Sequence, residues 1–256
     1  MKALVILSGG QDSTTCLYWA LHQPSVESVH CITFNYGQKH HIEINSASKI
    51  AMMGNLVKPV SFELINVKGI LHSMSPLTNP NVPLEKYENA EQMDKVIGDR
   101  RELTFVPMRN ALFLTIAANR AEALGINLVV TGVCQMDNAN YDDCRQVFID
   151  ATEDYINKAL GHDHRGTPRI EIFTPLMNLS KAQTVHLART LPGCWEALAH
   201  SHTSYDGCYP PTDNNHANVL RADGFENAGY PDPLVLRAWK EGLMELPKTA
   251  NYDAYR

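Results

Sequence analysis

The sequence has few cysteines, and their spacing excludes a simple zinc finger. Six cysteines are scattered over 256 residues, and none of them forms a C-x-x-C pair. Zinc fingers are built on such pairs, so the spacing matches no closed finger. We expect most of these cysteines to be small buried apolar residues in a reducing compartment. They are Cys16, Cys31, Cys134, Cys144, Cys194 and Cys208.

Long apolar runs and blocks of positive charge are also missing. No stretch approaches the roughly 18 consecutive apolar residues of a membrane span. The net charge is −6, 20% of residues are charged, and no Lys/Arg block occurs, so nothing indicates a nucleic-acid backbone as partner. Residues 1–7 are too short for a signal peptide. We therefore expect a cytosolic protein that binds neither membrane nor nucleic acid.

Apolar, β-branched runs alternate with helical patterns along most of the chain. Strands are predicted near 3–7, 29–34, 60–65, 128–133 and 170–173. This alternation predicts an α/β fold with a doubly wound, mostly parallel, five-stranded sheet. Ligands of such folds bind at the carboxyl ends of the strands.

Two segments depart from this alternation. Residues 66–104 contain Pro76, Pro80 and Pro83 without clear periodicity, which predicts a long lid-like insertion. Residues 191–256 form aromatic, His- and Pro-containing loops before a predicted helix over 233–246. We therefore predict a nucleotide-binding and catalytic domain over 1–190, and a C-terminal cap over 191–256 that is not an independent domain.

The stretch Leu7-Ser-Gly-Gly-Gln-Asp-Ser-Thr-Thr15 joins the first strand to a helix. Two glycines let the backbone turn sharply, and hydroxyl groups and free N–H groups at a helix N-terminus supply donors to an anion. The spacing fits neither the Walker loop nor the Rossmann fingerprint. It resembles the signature of the PP-loop ATPases, which have an adenine nucleotide α-hydrolase-like fold. The alternative is an ordinary glycine turn that caps a helix.

Four further stretches resemble one PP-loop family, the 7-cyano-7-deazaguanine synthases of the queuosine pathway. Residues 33–40, TFNYGQKH, are similar to the family's TFDYGQRH, and residues 105–110, FVPMRN, to its FVPGRN. Residues 131–145 run from TGVC to YDDCR and are similar to TGVC…YPDCR. Residues 174–182 contain TPL and KA, similar to TPL…KAE. The order and spacing agree over residues 3 to about 190.

This resemblance implies a ligase that converts 7-carboxy-7-deazaguanine and ammonia to the nitrile. The implied route uses ATP and Mg²⁺, passes through an adenylated carboxylate and an amide, and releases AMP and pyrophosphate. The resemblance also suggests a homodimer, and ammonia must come from solution or another protein because no glutaminase segment is evident. Three alternatives stay open: an enzyme that stops at 7-amido-7-deazaguanine, another PP-loop amidating or adenylating enzyme, or a nucleotide-binding partner subunit without activity.

The resemblance assigns roles to individual residues. Asp12, Arg109 and Lys181 are the predicted catalytic residues, with Asp12 placed to bind Mg²⁺. The predicted ATP contacts are Leu7, Ser8, Gly9, Gly10, Gln11, Asp12, Ser13, Thr14, Thr15, Cys16, Leu17, Phe34, Lys39 and Gly132. The predicted substrate contacts are Tyr36, Gln38, Arg109, Asn110, Asp137, Tyr141 and Asp143.

Several of these residues have a structural alternative. Arg109 and Asp143 would serve equally in an interior salt bridge or a helix cap. Lys181 would be a solvated lysine in a first helical turn, although a cation is unfavourable there. Cys134 and Cys144 are interpreted as packing residues rather than nucleophiles.

The C-terminal third departs from the family pattern. The resemblance implies a zinc site built from a Cys followed by C-x-x-C-x-x-C, but Ser204 stands at the first ligand position and no C-x-x-C follows. A replacement site would draw on Cys194, Cys208, His200, His202 and His216. We favour the alternative of a metal-free cap packed through Trp195, Tyr205, Tyr209 and Phe225.

Overall fold

The computed structural model describes residues 1–38, 42–79, 81–136, 140–205 and 207–256. The strands are β1 (Lys2–Ile6), β2 (Ser28–Asn35), β3 (Val60–Asn66), β4 (Leu128–Val130) and β5 (Glu171–Phe173). The helices are α1 (Gln11–Leu21), α2 (Ile42–Gly54), α3 (Ala90–Ile97), α4 (Arg109–Leu124), α5 (Gln146–Leu160), α6 (His162–Arg165), α7 (Lys181–Thr190), α8 (Cys194–Leu198), α9 (His216–Asn227) and α10 (Pro233–Lys240). No helix in these ranges is both long and apolar enough to span a bilayer.

The five strands form one sheet in the order β3-β2-β1-β4-β5, and every pairing is parallel. Val5 at the centre lies opposite Cys31 on β2 and Val130 on β4. The predicted five-stranded α/β sheet is confirmed. The strand order reverses between β1 and β4, so a crevice opens at their carboxyl ends.

Alternate residues of β1 enter two different cores. Ala3 and Val5 pack into the cluster that holds α1, α2, α7 and α8. Leu4 packs on the opposite face, in the cluster that holds α4 and α5. Because successive side chains of β1 point to opposite faces of the sheet, both faces of the strand are buried.

The structure corrects the predicted boundaries of several elements. The 66–104 segment contains α3, whose N-cap Asn89 accepts a hydrogen bond from the Gln92 backbone N–H. Met93 and Ile97, four residues apart on one face of α3, are buried against α9, and this tertiary contact stabilises the helix. β4 ends at Val130 instead of at 133, the final helix ends at Lys240 instead of at 246, and α6 lies between α5 and β5.

Candidate active site

The loop between β1 and α1 requires a glycine at position 9. Gly9 has φ +89°, and a Cβ built there would lie 2.4 Å from the backbone oxygen of Glu43. Gly10 is the N-cap of α1 and makes no side-chain capping bond. The first N–H groups of a helix have no intrahelical acceptor, so this end of α1 can bind an anion.

Hydroxyl groups hold this loop in shape. The Oγ atoms of Ser8 and Ser13 lie 3.0 Å apart, and the Ser8 backbone N–H donates to Ser13 Oγ at 3.1 Å. Thr14 and Thr15 are fully buried and donate to the backbone oxygens of Gly10 and Gln11. The structure therefore places five predicted ATP contacts in the interior instead of on a cavity wall: Gly9, Thr14, Thr15, Cys16 and Leu17.

Lys181 and Asp12 form an ion pair beside the loop. Lys181 Nζ lies 2.6 Å from Asp12 Oδ2, and the lysine side chain is 12% exposed. Ser180 and Gln183 form a capping box, which places Lys181 at the first position of α7. The solvated-lysine alternative is wrong, because the ammonium group points into the protein and meets a carboxylate.

Gly224 on α9 makes room for this lysine. A Cβ at Gly224 would lie 2.6 Å from the Lys181 Cβ, well inside van der Waals contact. Any larger residue there must displace α7 or α9. Gly224 was not predicted as a site residue, since nothing local in the sequence marks a close approach between two helices.

A cavity of about 320 Å³ opens at the carboxyl ends of β1 and β4. Gly132 lies after β4, and a Cβ there would approach the Ser13 backbone nitrogen to 3.2 Å. The predicted site residues that line this cavity are Leu7, Ser8, Gly10, Gln11, Asp12, Ser13, Phe34, Tyr36, Gln38, Arg109, Asn110, Gly132, Tyr141 and Lys181. The fold thus brings the glycine loop together with residues from the other four motifs.

Arg109 and aromatic rings form another part of the cavity wall. Arg109 is the first residue of α4, and its guanidinium carbon lies 6.0 Å from the Tyr36 ring centroid. Phe113, one turn along α4, stacks on Phe34 at 4.1 Å and lies 5.6 Å from Tyr36. A fixed cation next to flat rings suits a planar heterocycle that carries an anionic group.

Asp143 and Gln38 hold the backbone around the site, Asp143 from outside the cavity lining and Gln38 from within it. Asp143 is buried outside the cavity lining, and its carboxylate accepts from the Asn110 backbone N–H at the start of α4. Burial raises the Asp143 pKa, and the nearby Arg109 opposes that rise. The helix-cap alternative therefore describes Asp143. The Gln38 amide bonds to the backbone at Tyr36 and Phe34, which fixes the turn after β2.

Glu43, in the first turn of α2, is a cavity residue that the motifs did not indicate. Burial raises its pKa to about 8, and Arg109 opposes the shift. Tyr36 and Tyr205 also interact with this carboxyl group. Tyr205 and His202, from the C-terminal segment, also line the cavity. The sequence motifs did not predict either of them as a ligand contact. The predicted contacts Lys39 and Asp137 lie outside the described residues.

The raised pKa of Glu43 predicts a pH-dependent stability. Between pH 4.5 and about 8 the folded state keeps this proton while the unfolded chain loses it, so unfolding releases a proton. The wild-type protein should therefore lose stability relative to Glu43→Gln as the pH rises through this window, with no further change above it. Thermal unfolding from pH 4 to 9 measures the difference. Glu171→Gln, an exposed change on β5, is the control, and parallel wild-type and Glu43→Gln curves would contradict the prediction.

Residues 2–229 match the family model described as queuosine biosynthesis protein QueC. The chain belongs to this family. A 7-cyano-7-deazaguanine synthase from Chromobacterium violaceum is 44% identical over 244 residues, covering 94% of this chain and 95% of the relative. Those from Gloeobacter violaceus and Laribacter hongkongensis are also 44% identical, over 242 and 239 residues, and cover 93% and 92% of this chain and 96% and 94% of the relatives. Every residue that lines the cavity lies within the matched range.

The zinc site implied by resemblance to the QueC family does not fit the residues present. Cys194 is fully buried in the core, where burial raises its pKa to about 12, and Cys208 is exposed. His216 lines the cavity, and His200 lies 2.7 Å from an Arg237 nitrogen. Across the part of the chain that the structure describes, no group of three or more His, Cys, Asp or Glu side chains could hold a metal ion.

Proposed function

We propose that this protein converts 7-carboxy-7-deazaguanine and ammonia to 7-cyano-7-deazaguanine at the expense of ATP. One observation carries the proposal: a single cavity combines the glycine loop and the Lys181–Asp12 pair with the Arg109 and Tyr36 wall. The glycine loop and the Lys181–Asp12 pair suit a polyphosphate. The wall of Arg109 and Tyr36 suits a flat base that carries a carboxylate. The names of the 44% identical relatives support the same reaction.

The proposed chemistry begins with activation of a poor electrophile. The substrate carboxylate attacks the α-phosphorus of ATP, and the bond to pyrophosphate breaks. Ammonia then displaces AMP from the carbonyl carbon and loses a proton, which gives the amide. The amide oxygen then attacks the α-phosphorus of a second ATP and pyrophosphate leaves; the C–O bond to AMP breaks and the nitrogen loses both of its protons, which gives the nitrile.

The residues on the cavity wall have distinct parts in this scheme. The N-terminus of α1 and Lys181 stabilise the negative charge that develops as pyrophosphate leaves. Arg109 orients the substrate carboxylate, and the deazaguanine ring of the substrate stacks beside Tyr36. Glu43, a carboxyl group on the cavity wall, binds the donor edge of the base. Asp12 would hold Mg²⁺, which would neutralise charge on the leaving group.

Three further features remain part of the proposal. The enzyme acts in the cytosol as a homodimer, and it takes ammonia from solution or from another protein. The family resemblance suggests the dimer, and the composition suggests the compartment. Size-exclusion chromatography with light scattering would test the dimer.

Mass spectrometry of the reaction tests the proposed function. The purified protein is incubated with 7-carboxy-7-deazaguanine, ATP, Mg²⁺ and ammonium, and the products and AMP are quantified. Nitrile with two AMP per product supports the proposal. Amide with one AMP would show an enzyme that stops at 7-amido-7-deazaguanine, and no AMP would exclude both reactions on this substrate.

A further inference from the structure

A cluster of hydrogen bonds around Asp213 lies where the family resemblance implies zinc. Ser204, which stands at the first zinc-ligand position, donates through Oγ to Asp213 Oδ1 at 2.5 Å. The side-chain amides of Asn215 and Asn218 donate to the same carboxylate. Asn218 also donates to the Asp213 backbone oxygen at 3.1 Å. One carboxylate thus joins three side chains from two stretches of the chain.

The three side chains around Asp213 are suited to donate hydrogen bonds to a carboxylate and are poorly suited to bind a metal ion. Structural zinc sites use thiolate and imidazole ligands, whereas a serine hydroxyl and two amide groups are poor ligands for zinc. These groups are good donors, and bonds to a charged acceptor are stronger than those between neutral groups. Ser204 and Asn215 are 0% and 1% exposed, so water competes little for their bonds with Asp213.

The cluster also fixes the start of α9. Asn215 is the N-cap of α9, and its Oδ1 accepts from the Asn218 backbone N–H at 3.1 Å. Its Nδ2 donates to Asp213, so one amide caps the helix and binds the carboxylate at once. The negative charge of Asp213 just before the helix also interacts favourably with the N-terminal end of the helix dipole.

Both stretches tied by Asp213 form walls of the active-site cavity. His202, Thr203 and Tyr205 flank Ser204, and His216 follows the N-cap Asn215. The His202 backbone N–H donates to the Gly9 oxygen at 2.8 Å, which connects this segment to the glycine loop. Movement of the cluster would therefore shift the wall that faces Arg109 and Tyr36.

We propose that Asp213 is a positioning residue that replaces a structural metal and holds the Tyr205 and His216 walls of the active site without zinc. A second anchor supports the same segment: Arg221 pairs with Asp232 at 2.6 Å and donates to Ser201 and Thr203 at 2.9 and 2.8 Å. The segment that contains Ser204 and Asp213 therefore keeps its shape through buried hydrogen bonds and ion pairs. This chain supplies both the donors and the acceptors of those bonds.

The first test measures metal and stability. The purified protein should contain far less than one zinc per chain by inductively coupled plasma mass spectrometry, and a zinc chelator should leave its Tm unchanged. Asp213→Ala leaves three donors without their acceptor, so its Tm should fall by roughly 5–10 °C. The matched control is Asp223→Ala on α9, which removes a carboxylate bonded to one amide, that of Asn227, and its Tm should stay close to that of the wild type.

The second test separates positioning from a merely structural role, and it rests on the proposed function. Asp213→Ala should raise KM for the deazaguanine substrate about tenfold, with a smaller change in kcat, because the misplaced wall weakens binding. The double variant Asp213→Asn with Asn218→Asp exchanges the carboxylate and the amide, and it should recover part of both KM and Tm. If Asp213→Ala does not fold, Ser204→Ala removes one donor and should shift both quantities in the same direction.

Several outcomes would overturn the proposal. One zinc per chain, with a lower Tm after its removal, would show a metal site instead. If Asp213→Ala has the same Tm and KM as the control Asp223→Ala, then Asp213 has no positioning role. If the wild type makes no product, the proposed function fails, while zinc content, Tm and the exchange variant still decide the role of Asp213.

Discussion

Replacing Lys181 by methionine should lower the rate of AMP formation by about 10²–10³-fold. Removing one donor that stabilises developing charge in a preorganised site costs about this much. Lys181 Nζ lies beside the glycine loop, held by Asp12 at 2.6 Å, where pyrophosphate would leave. Methionine keeps the length and apolar stem of the side chain and removes only the charge. Quenched-flow measurement of AMP, with saturating ATP and substrate, gives the effect on kcat.

A surface lysine with the same distance to its carboxylate partner serves as the control. Lys158 Nζ lies 2.6 Å from Asp154, but its side chain is 65% exposed on α5. Lys158→Met should leave kcat unchanged, because an exposed ion pair far from the cavity contributes little. Lys181→Met with a kcat within about twofold of the Lys158→Met value would show that the ammonium group takes no part in the reaction.

Gly9→Ala should abolish measurable turnover and lower the Tm. The added Cβ would lie 2.4 Å from the Glu43 backbone oxygen, and backbone atoms cannot yield as a flexible side chain can. The loop would have to move away from α2, which displaces the N–H groups that face the cavity. A shift of about 1 Å in such groups costs about 10²-fold in rate, so we expect a loss of at least that size in the AMP assay.

Gly69→Ala separates the clash from the cost of the backbone conformation. Gly69 has φ +81°, close to the +89° of Gly9, but a Cβ there meets nothing within 4 Å. Both variants therefore carry the strain of a left-handed alanine, about 1–2 kcal/mol, and Gly9→Ala alone adds the collision. Equal losses of Tm and activity in the two variants would mean that the close approach to α2 is unimportant.

The sequence alone determined the strands, the glycine loop and the Lys181 position. Each depends on local patterns: a continuous apolar run for β1, a glycine turn before α1, and the capping box that starts α7. Such features depend on residues that are neighbours in the sequence, so they can be predicted without knowledge of the tertiary structure. The motifs also pointed to most of the residues that line the cavity.

The tertiary structure alone decided which residues share a wall and which support it. Asp143 caps α4 from 33 residues away, and Glu43 enters the cavity because α2 packs beside the glycine loop. Gly224 is required where α7 and α9 meet, and α9 itself carries no amphipathic pattern that would predict it. The Asp213 cluster joins Ser204 to the start of α9 through polar residues that look like ordinary loop chemistry. Contacts between segments distant in sequence leave no local signal, because the packing of the whole chain selects them.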